Sequence, residues 1–203
     1  MKILNLYSGI GGNRKLWPEG NEITVVEINP KIAQIYQDFF PKDKMVIADA
    51  HQYLLDHFKE FDFIWSSPPC PSHSHIRKEL AVMTGQNKPI YPDLKLYEEI
   101  LLLQHYYKGK FVVENVVSFY CPLITPQEIA SHYFWTNFYI HPVGKQRREH
   151  KTLGGRKILE ALKGFNLDKY TGVDKRLLLR NCVEPELGLH IFQEAFREYK
   201  TLF

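Results

Sequence analysis

Phe61-Asp-Phe-Ile-Trp-Ser-Ser-Pro-Pro-Cys70 decides how this chain is read. A short aromatic and β-branched run closed by two prolines has the signature of a buried strand, and it delivers a cysteine at its carboxyl end. A second run of the same kind, Phe111-Val-Val113, delivers Glu114-Asn-Val116. Ligand sites of open parallel sheets lie just beyond the carboxyl ends of the strands, so a thiol and a carboxylate are expected to face one pocket.

Outward from these runs, strand and helix patterns alternate. Lys2 to Tyr7, Glu22 to Ile28 and Met45 to Ala48 read as strands one to three, Phe61 to Ser67 as strand four and the Phe111 run as strand five. Pro30 to Phe40 reads as a helix, because Ile32, Ile35, Tyr36 and Phe39 recur at helical spacing and Pro30 suits the first turn. Asp93 to Lys108 reads as another, with Leu94, Tyr97, Ile100, Leu101 and Gln104 on one side and Gly109 just past its end. This rhythm predicts an α/β fold with a doubly wound, mostly parallel sheet and right-handed crossovers. Beyond Glu114 the rhythm loosens. The patterns there suggest a helix near Gln127 to Tyr133, a strand near Asn137 to Val143, a polar stretch from Gly144 to Gly155 and a closing helix from Pro185 to Tyr199.

A chain of 203 residues with 44% hydrophobic content supports a single domain spanning residues 1–203. Its net charge of +3 and pI near 8.6 permit contact with a polyanion without establishing it. Cys70, Cys121 and Cys182 show no paired spacing, which points to free thiols in a reducing compartment. The chain has no long apolar amino-terminal stretch and no run near the roughly 18 apolar residues of a membrane span, so a soluble, cytoplasmic protein without membrane contact is expected.

Tyr7-Ser-Gly-Ile-Gly-Gly12 follows the first strand, where glycines let a ligand approach the backbone closely. A tight turn would need them too. Glu27 lies at the end of strand two, at the interval where an acidic side chain meets ribose hydroxyls, and Asp49 ends strand three in the same layer, within reach of an adenine amino group. No Lys and Ser/Thr of a phosphate-gripping loop accompany them, so an adenosyl ligand without polyphosphate fits better. Cys70 is pinned by Pro68 and Pro69 and followed by the polar run Pro71-Ser-His-Ser-His75, which describes a partly solvated thiol. Cys70, His73 and His75 have no second ligand pair for a structural zinc site, and no metal is expected. Glu114, delivered by an apolar strand, needs either a hydrogen-bonded structural role or a deliberately raised pKa.

Taken in order, Leu6-Tyr-Ser-Gly-Ile-Gly-Gly12, Val26-Glu-Ile28, Asp49, Ser67-Pro-Pro-Cys70, Glu114-Asn-Val116, Gln146-Arg-Arg148 and Arg180-Asn-Cys-Val-Glu-Pro185 resemble the successive motifs of the cytosine-5 DNA methyltransferases. The resemblance runs over almost the entire chain. It implies a Rossmann-like fold binding S-adenosyl-L-methionine through Tyr7, Gly9, Gly11, Gly12, Glu27, Ile28, Asp49, Ala50, Pro68 and Asn181. It also implies that Cys70 adds to carbon 6 of cytosine, that Glu114 hydrogen-bonds ring nitrogen 3, and that Arg148 or His150 holds the carbonyl oxygen. The target base must then be flipped out of a duplex or presented single-stranded.

Several positions depart from the family pattern. Asn5 stands where the family usually has Asp, Pro71 replaces a Gln, His150 takes the place of a second arginine, and Asn13 to Gly20 is short for a full first helix. Where the family carries a large target-recognition region, only a reduced remnant within residues 144–180 remains. Lys151, Arg156, Lys157, Lys163, Lys169, Lys175 and Arg176 make it basic, which fits a solvated face or phosphate contact. The leading expectation is methylation of DNA with little intrinsic sequence choice, with a separate specificity partner as an option. Methylation of RNA or a free nucleotide, and a catalytically idle nucleic-acid-binding subunit, are the alternatives.

Overall fold

A computed structural model describes residues 1–75, 79, 90–142 and 155–198. Seven strands form one sheet in the order β3-β2-β1-β4-β5-β7-β6. They are β1 (Lys2–Leu6), β2 (Glu22–Val26), β3 (Lys44–Val46), β4 (Phe63–Ser66), β5 (Lys110–Val116), β6 (Gln127–Ile129) and β7 (His132–Thr136). β1 to β5 run parallel, while β7 is antiparallel to both β5 and β6. The sheet is therefore doubly wound and mostly parallel, as the alternating pattern predicts. Among the described residues no helix is long and apolar enough to cross a membrane.

Because successive strand residues face opposite sides, each parallel strand feeds two cores. Ile3, Val25, Phe63, Trp65 and Val112 join Trp17, Tyr36, Leu187 and Phe192 on one face. Leu4, Leu6, Ile64, Phe111 and Val113 join Leu54, Leu96, Ile100 and Leu103 on the other. The helices that cover these faces are α1 (Pro30–Phe39), α2 (Ala50–His57), α3 (Lys95–Tyr106) and α6 (Pro185–Ala195). Asn29 starts α1 by accepting from the Lys31 and Ile32 amides, and Asp49 starts α2 by accepting from the Gln52 amide.

Three local expectations are corrected. Gln127 to Tyr133 is a hairpin rather than a helix, and the strand expected near Asn137 sits five residues earlier, at His132–Thr136. The hairpin turns through Ala130 and Ser131, both at positive φ (50° and 66°), a geometry usually signalled by Asn-Gly, so Ala-Ser conceals it. α3 buries Leu96, Tyr97, Glu99, Ile100 and Leu103, whereas Leu94 and Leu101, expected inside, are exposed. α2 carries no expectation at all, since Ala-His-Gln-Tyr-Leu-Leu-Asp-His offers only a short apolar face.

A third core joins Ile10 of the glycine loop and Ile35 of α1 to Leu159, Phe165, Leu167 and Leu179. The last four belong to the segment holding α4 (Arg156–Lys163) and α5 (Lys175–Arg180). The segment whose basic residues fit a solvated face or phosphate contact thus packs on the glycine-loop side of the sheet.

Candidate active site

Beyond the carboxyl ends of β1, β2, β4 and β5 lies a continuous cleft of about 1720 Å³. The glycine loop, Glu27 and Ile28 border one end, and Cys70 and Glu114 border the other. Tyr7, Gly9, Gly12, Asp49, Ala50, Pro68 and Asn181 also line it. Gly11 does not. Its φ of +85° and the Tyr36 and Phe40 rings, which an added Cβ would strike, make it a packing glycine of the turn. Arg148 and His150 lie outside the described residues.

The glycine loop is held by a buried carboxylate. Glu27 accepts the Gly9 amide at 3.1 Å and the Asn29 amide at 2.9 Å, so one side chain ties the end of β1 to the end of β2. Gly9 has φ +54° and open space where a Cβ would stand, leaving its backbone free for a ligand. The Ser8 hydroxyl beside it is buried and has no hydrogen-bond partner among the described residues. Ile28 is 65% exposed on the cleft wall, an apolar surface suited to a flat ring. Gly12 serves packing instead. A Cβ there would collide with the Cys182 thiol and the Val183 carbonyl, so its bareness lets the chain after α5 close against the loop. Asn5, fully buried, accepts the Asn13 side-chain amide at 2.8 Å and so braces the turn from beneath.

Cys70 and Glu114 are brought together by Asn115. Its side-chain amide donates to the Pro68 carbonyl at 3.0 Å, fastening the Pro-Pro-Cys turn to β5. The Cys70 carbonyl in turn accepts the His73 and Ser74 amides at 3.0 and 3.1 Å. Burial first, and the Glu114 charge second, push the Cys70 thiol above its ordinary pKa, so the side chain rests as the thiol. Glu114 is 8% exposed, and His132 Nε2 on β7 stands 3.8 Å from its Oε1. His73 is occupied by the Tyr120 hydroxyl at 2.6 Å, and among the described residues no group of three or more His, Cys, Asp or Glu side chains is placed to hold a metal.

Sequence reasoning passes over a second buried carboxylate. Glu99 of α3, fully buried, accepts the Tyr7 and Ser66 hydroxyls, each at 2.6 Å, and pairs with His51 Nδ1 at 3.0 Å. It therefore joins the residue that opens the glycine loop to the end of the cysteine-bearing strand. The sequence carries a signal for it, because Leu96, Glu99, Ile100 and Leu103 share one face at helical spacing, which puts a charge among core positions. Lys163, one of the basic residues expected to offer phosphate contact, is 5% exposed and bonds the Cys182 carbonyl and Glu184, the latter at 3.0 Å. Other basic side chains of this segment are also engaged. Lys157 pairs with Glu160 at 3.1 Å and Asp168 at 2.6 Å, Arg156 with the same two acids, and Lys169 with Asp38 at 2.9 Å.

Comparison with known proteins gives this geometry a lineage. The profile of the C-5 cytosine-specific DNA methylase family matches residues 1–120. A Spodoptera frugiperda protein described as tRNA (cytosine(38)-C(5))-methyltransferase is 36% identical over 85 residues, which make up 39% of this chain and 26% of that protein. The crystal structure of a Spodoptera frugiperda DNMT2 mutant is 27% identical, with a TM-score of 0.39 over 57% of this chain and 35% of that one. The Entamoeba histolytica methyltransferase EhMeth is only 11% identical but shares the fold, covering 97% of this chain and 98% of its own at a TM-score of 0.55. The chain therefore spans a quarter to a third of the two Spodoptera proteins. With well over half of its residues inside the family profile, this chain belongs to the C-5 cytosine-specific DNA methylases, whose methyl donor is S-adenosyl-L-methionine.

Proposed function

We propose that this chain methylates carbon 5 of cytosine in DNA through a covalent adduct at Cys70, with little sequence choice of its own. The observation that carries the reading is the meeting of Cys70 and Glu114 at one end of a cleft whose other end is the Gly9 and Glu27 loop. S-adenosyl-L-methionine supplies an electrophilic methyl group when bound. Open space at Gly9, the unpartnered Ser8 hydroxyl and the exposed Ile28 suit its adenosyl and methionine parts, with Glu27 at the ribose and Asp49 at the adenine. Asn181, also on the cleft, borders the same ligand.

Carbon 5 of cytosine is a poor nucleophile until a thiolate adds to carbon 6. Cys70 performs that addition, and Glu114 hydrogen-bonds nitrogen 3 as charge develops there. The raised Cys70 pKa means that the thiol keeps its proton in the free site. The target enters unstacked. The ion pairs of Arg156, Lys157, Lys163 and Lys169 favour low sequence choice, since side chains satisfied within the fold are poorly placed to read base edges. A second reading, methylation of RNA, is favoured by the Spodoptera relative described as a tRNA methyltransferase.

The test is an oligonucleotide carrying 5-fluorocytosine, incubated with protein and S-adenosyl-L-methionine as duplex DNA, single-stranded DNA and tRNA-like RNA. Fluorine cannot leave as a proton does, so a stable adduct is expected on DNA, abolished by Cys70→Ala with cofactor binding retained. Adduct on RNA alone selects the second reading. An adduct that survives Cys70→Ala refutes both.

A further inference from the structure

The β6–β7 hairpin points its tip into the catalytic end of the cleft. Ala130, Ser131 and His132 all line it, and the first two hold a left-handed backbone that neither residue favours. Such strain persists only where the surroundings over-determine it, and it is common at functional sites. Here its effect is to set His132, paired in register with Val116, beside a neighbouring strand's carboxylate.

The ring's hydrogen bonding fixes which nitrogen does what. Nδ1 lies 3.2 Å from the Ala130 carbonyl, which can only accept, so Nδ1 carries a hydrogen. Nε2 is then the atom that gains or loses a proton, and it is the one 3.8 Å from Glu114 Oε1. The His132 side chain is 29% exposed and that of Glu114 is 10% exposed, so the pair borders the cleft with the carboxylate on the drier side.

We propose that His132 is a positioning residue for the methylation reaction, holding the Glu114 carboxyl and sharing one proton with it. The inference rests on the functional reading above. Cys70 releases its thiol proton to solvent. As the Sγ bond to carbon 6 forms, the carbon 5–carbon 6 electron pair shifts to carbons 4 and 5, the carbon 4–nitrogen 3 pair moves onto nitrogen 3, and nitrogen 3 takes the shared proton. When the thiolate later leaves carbon 6 of the methylated base, the nitrogen 3 proton returns to the Glu114–His132 pair, and the carbon 5 proton has gone to a separate base. Before the adduct forms, with the shared proton on Nε2, the imidazolium offsets the carboxylate.

This charge balance also serves the nucleophile. Glu114 is the charged group that, after burial, raises the Cys70 pKa, and a cation at Nε2 weakens that opposition to thiolate formation. Among the described residues, the other titratable groups that share this end of the cleft are Cys70 and His75 from the segment after β4, Glu114 from β5 and Glu128 from β6.

The test measures the rate of adduct formation on 5-fluorocytosine DNA against pH, for the wild type, His132→Gln, Glu114→Gln and the double variant. Glutamine keeps a polar side chain but cannot carry the proton. His132→Gln should slow the reaction by about a hundredfold, the lower end of what general acid–base catalysis supplies. It should remove one ionisation from the pH–rate profile and leave the Kd for S-adenosyl-L-methionine unchanged, which also verifies folding. In the double variant it should cost nothing beyond Glu114→Gln, because it acts only through Glu114. His132→Asn should behave as His132→Gln does. An unchanged pH profile, or independent losses that multiply in the double variant, overturns the inference alone. A wild-type protein that forms no Cys70 adduct on any nucleic acid overturns the functional reading and this inference with it.

Discussion

Replacing Glu99 should loosen the cofactor end of the cleft from a position that no ligand touches. The side chain is fully buried and takes three donors: the Tyr7 hydroxyl, the Ser66 hydroxyl and His51 Nδ1. In Glu99→Ala all three lose their partner, and removing one member of a buried charged network costs roughly 3–5 kcal/mol. That is a large part of the roughly 5–15 kcal/mol by which a domain is stable. Glu99→Gln is milder. Its carbonyl still accepts from Tyr7 and His51 while its amide donates to the Ser66 oxygen, so the loss is the margin between charged and neutral acceptors, about 1 kcal/mol per bond.

The pH dependence distinguishes this account from simple packing. His51 is pushed above its ordinary value chiefly by its bond to Glu99, against the opposing pull of burial, and Glu98 at 3.3 Å adds to the push. A group whose folded pKa is raised contributes its stability in full below the unfolded value and loses it as pH rises through the folded value. Wild-type stability from this pair should therefore be present in full below the ordinary imidazole pKa and fall as pH rises above it through the higher folded value. Urea unfolding, followed by the buried Trp17, Trp65 and Trp135, measures it at each pH. The Glu99→Gln curve should lie lower at the acid end and flatten the slope, and its Kd for S-adenosyl-L-methionine should rise because Tyr7 opens the glycine loop. Parallel curves for wild type and Glu99→Gln would refute the reasoning, since the charge would then not be what His51 senses.

Two glycines should separate ligand binding from packing. Gly9→Ala puts a methyl group into open cleft space and holds alanine at φ +54°, costing about 1–2 kcal/mol of backbone preference and weakening cofactor binding more than stability. Gly12→Ala instead drives a Cβ into Cys182 and Val183, so thermal unfolding should show the larger loss there, of about 1–3 kcal/mol. Replacing Arg156 and Lys157 together by alanine should leave the salt slope of nucleic-acid binding nearly unchanged, because both side chains already pair with Glu160 and Asp168. A slope that drops by about two charges would instead assign them to phosphate.

The strands that carry the chemistry are legible because both faces of each are buried. Phe61 to Ser67 and Phe111 to Val113 hold continuous apolar runs, and parallel-sheet geometry then fixes which end the reactive residues occupy. Legibility fails where a short-range signal is missing or misleading. Ala130-Ser131 gives no hint of a two-residue turn, so the hairpin that carries His132 reads as a helix followed by a later strand. On α3, treating Leu94 and Leu101 as core rotates the helix and turns Glu99 outward, hiding the network that joins Tyr7 to Ser66. In the segment before Asn181 a count of basic residues suggests phosphate contact, but a count cannot show that the neighbouring acids fold back onto them.

That segment is better understood from what it covers. Leu159, Phe165, Leu167 and Leu179 share a core with Ile10 and Ile35, so α4 and α5 bury apolar surface against the glycine loop and α1. Lys163 continues the contact into the polar layer, reaching the Cys182 carbonyl and the Glu184 carboxylate from a position almost closed to solvent. Desolvation in this layer pushes the Cys182 thiol up to about 11, leaving it inert where Cys70, at the opposite end of the cleft, is not fully buried. A buried ammonium is costly unless paired, so breaking the Lys163–Glu184 contact exposes a penalty that favours keeping the chain after α5 against Gly12. Leu159, Lys163, Leu178 and Arg180 of this segment therefore form a wall of the cleft. Asn181 lies on this wall. Under the proposed function, sequence choice is then expected to arise at the side of the cleft bordered by Cys70, Glu114 and the β6–β7 hairpin.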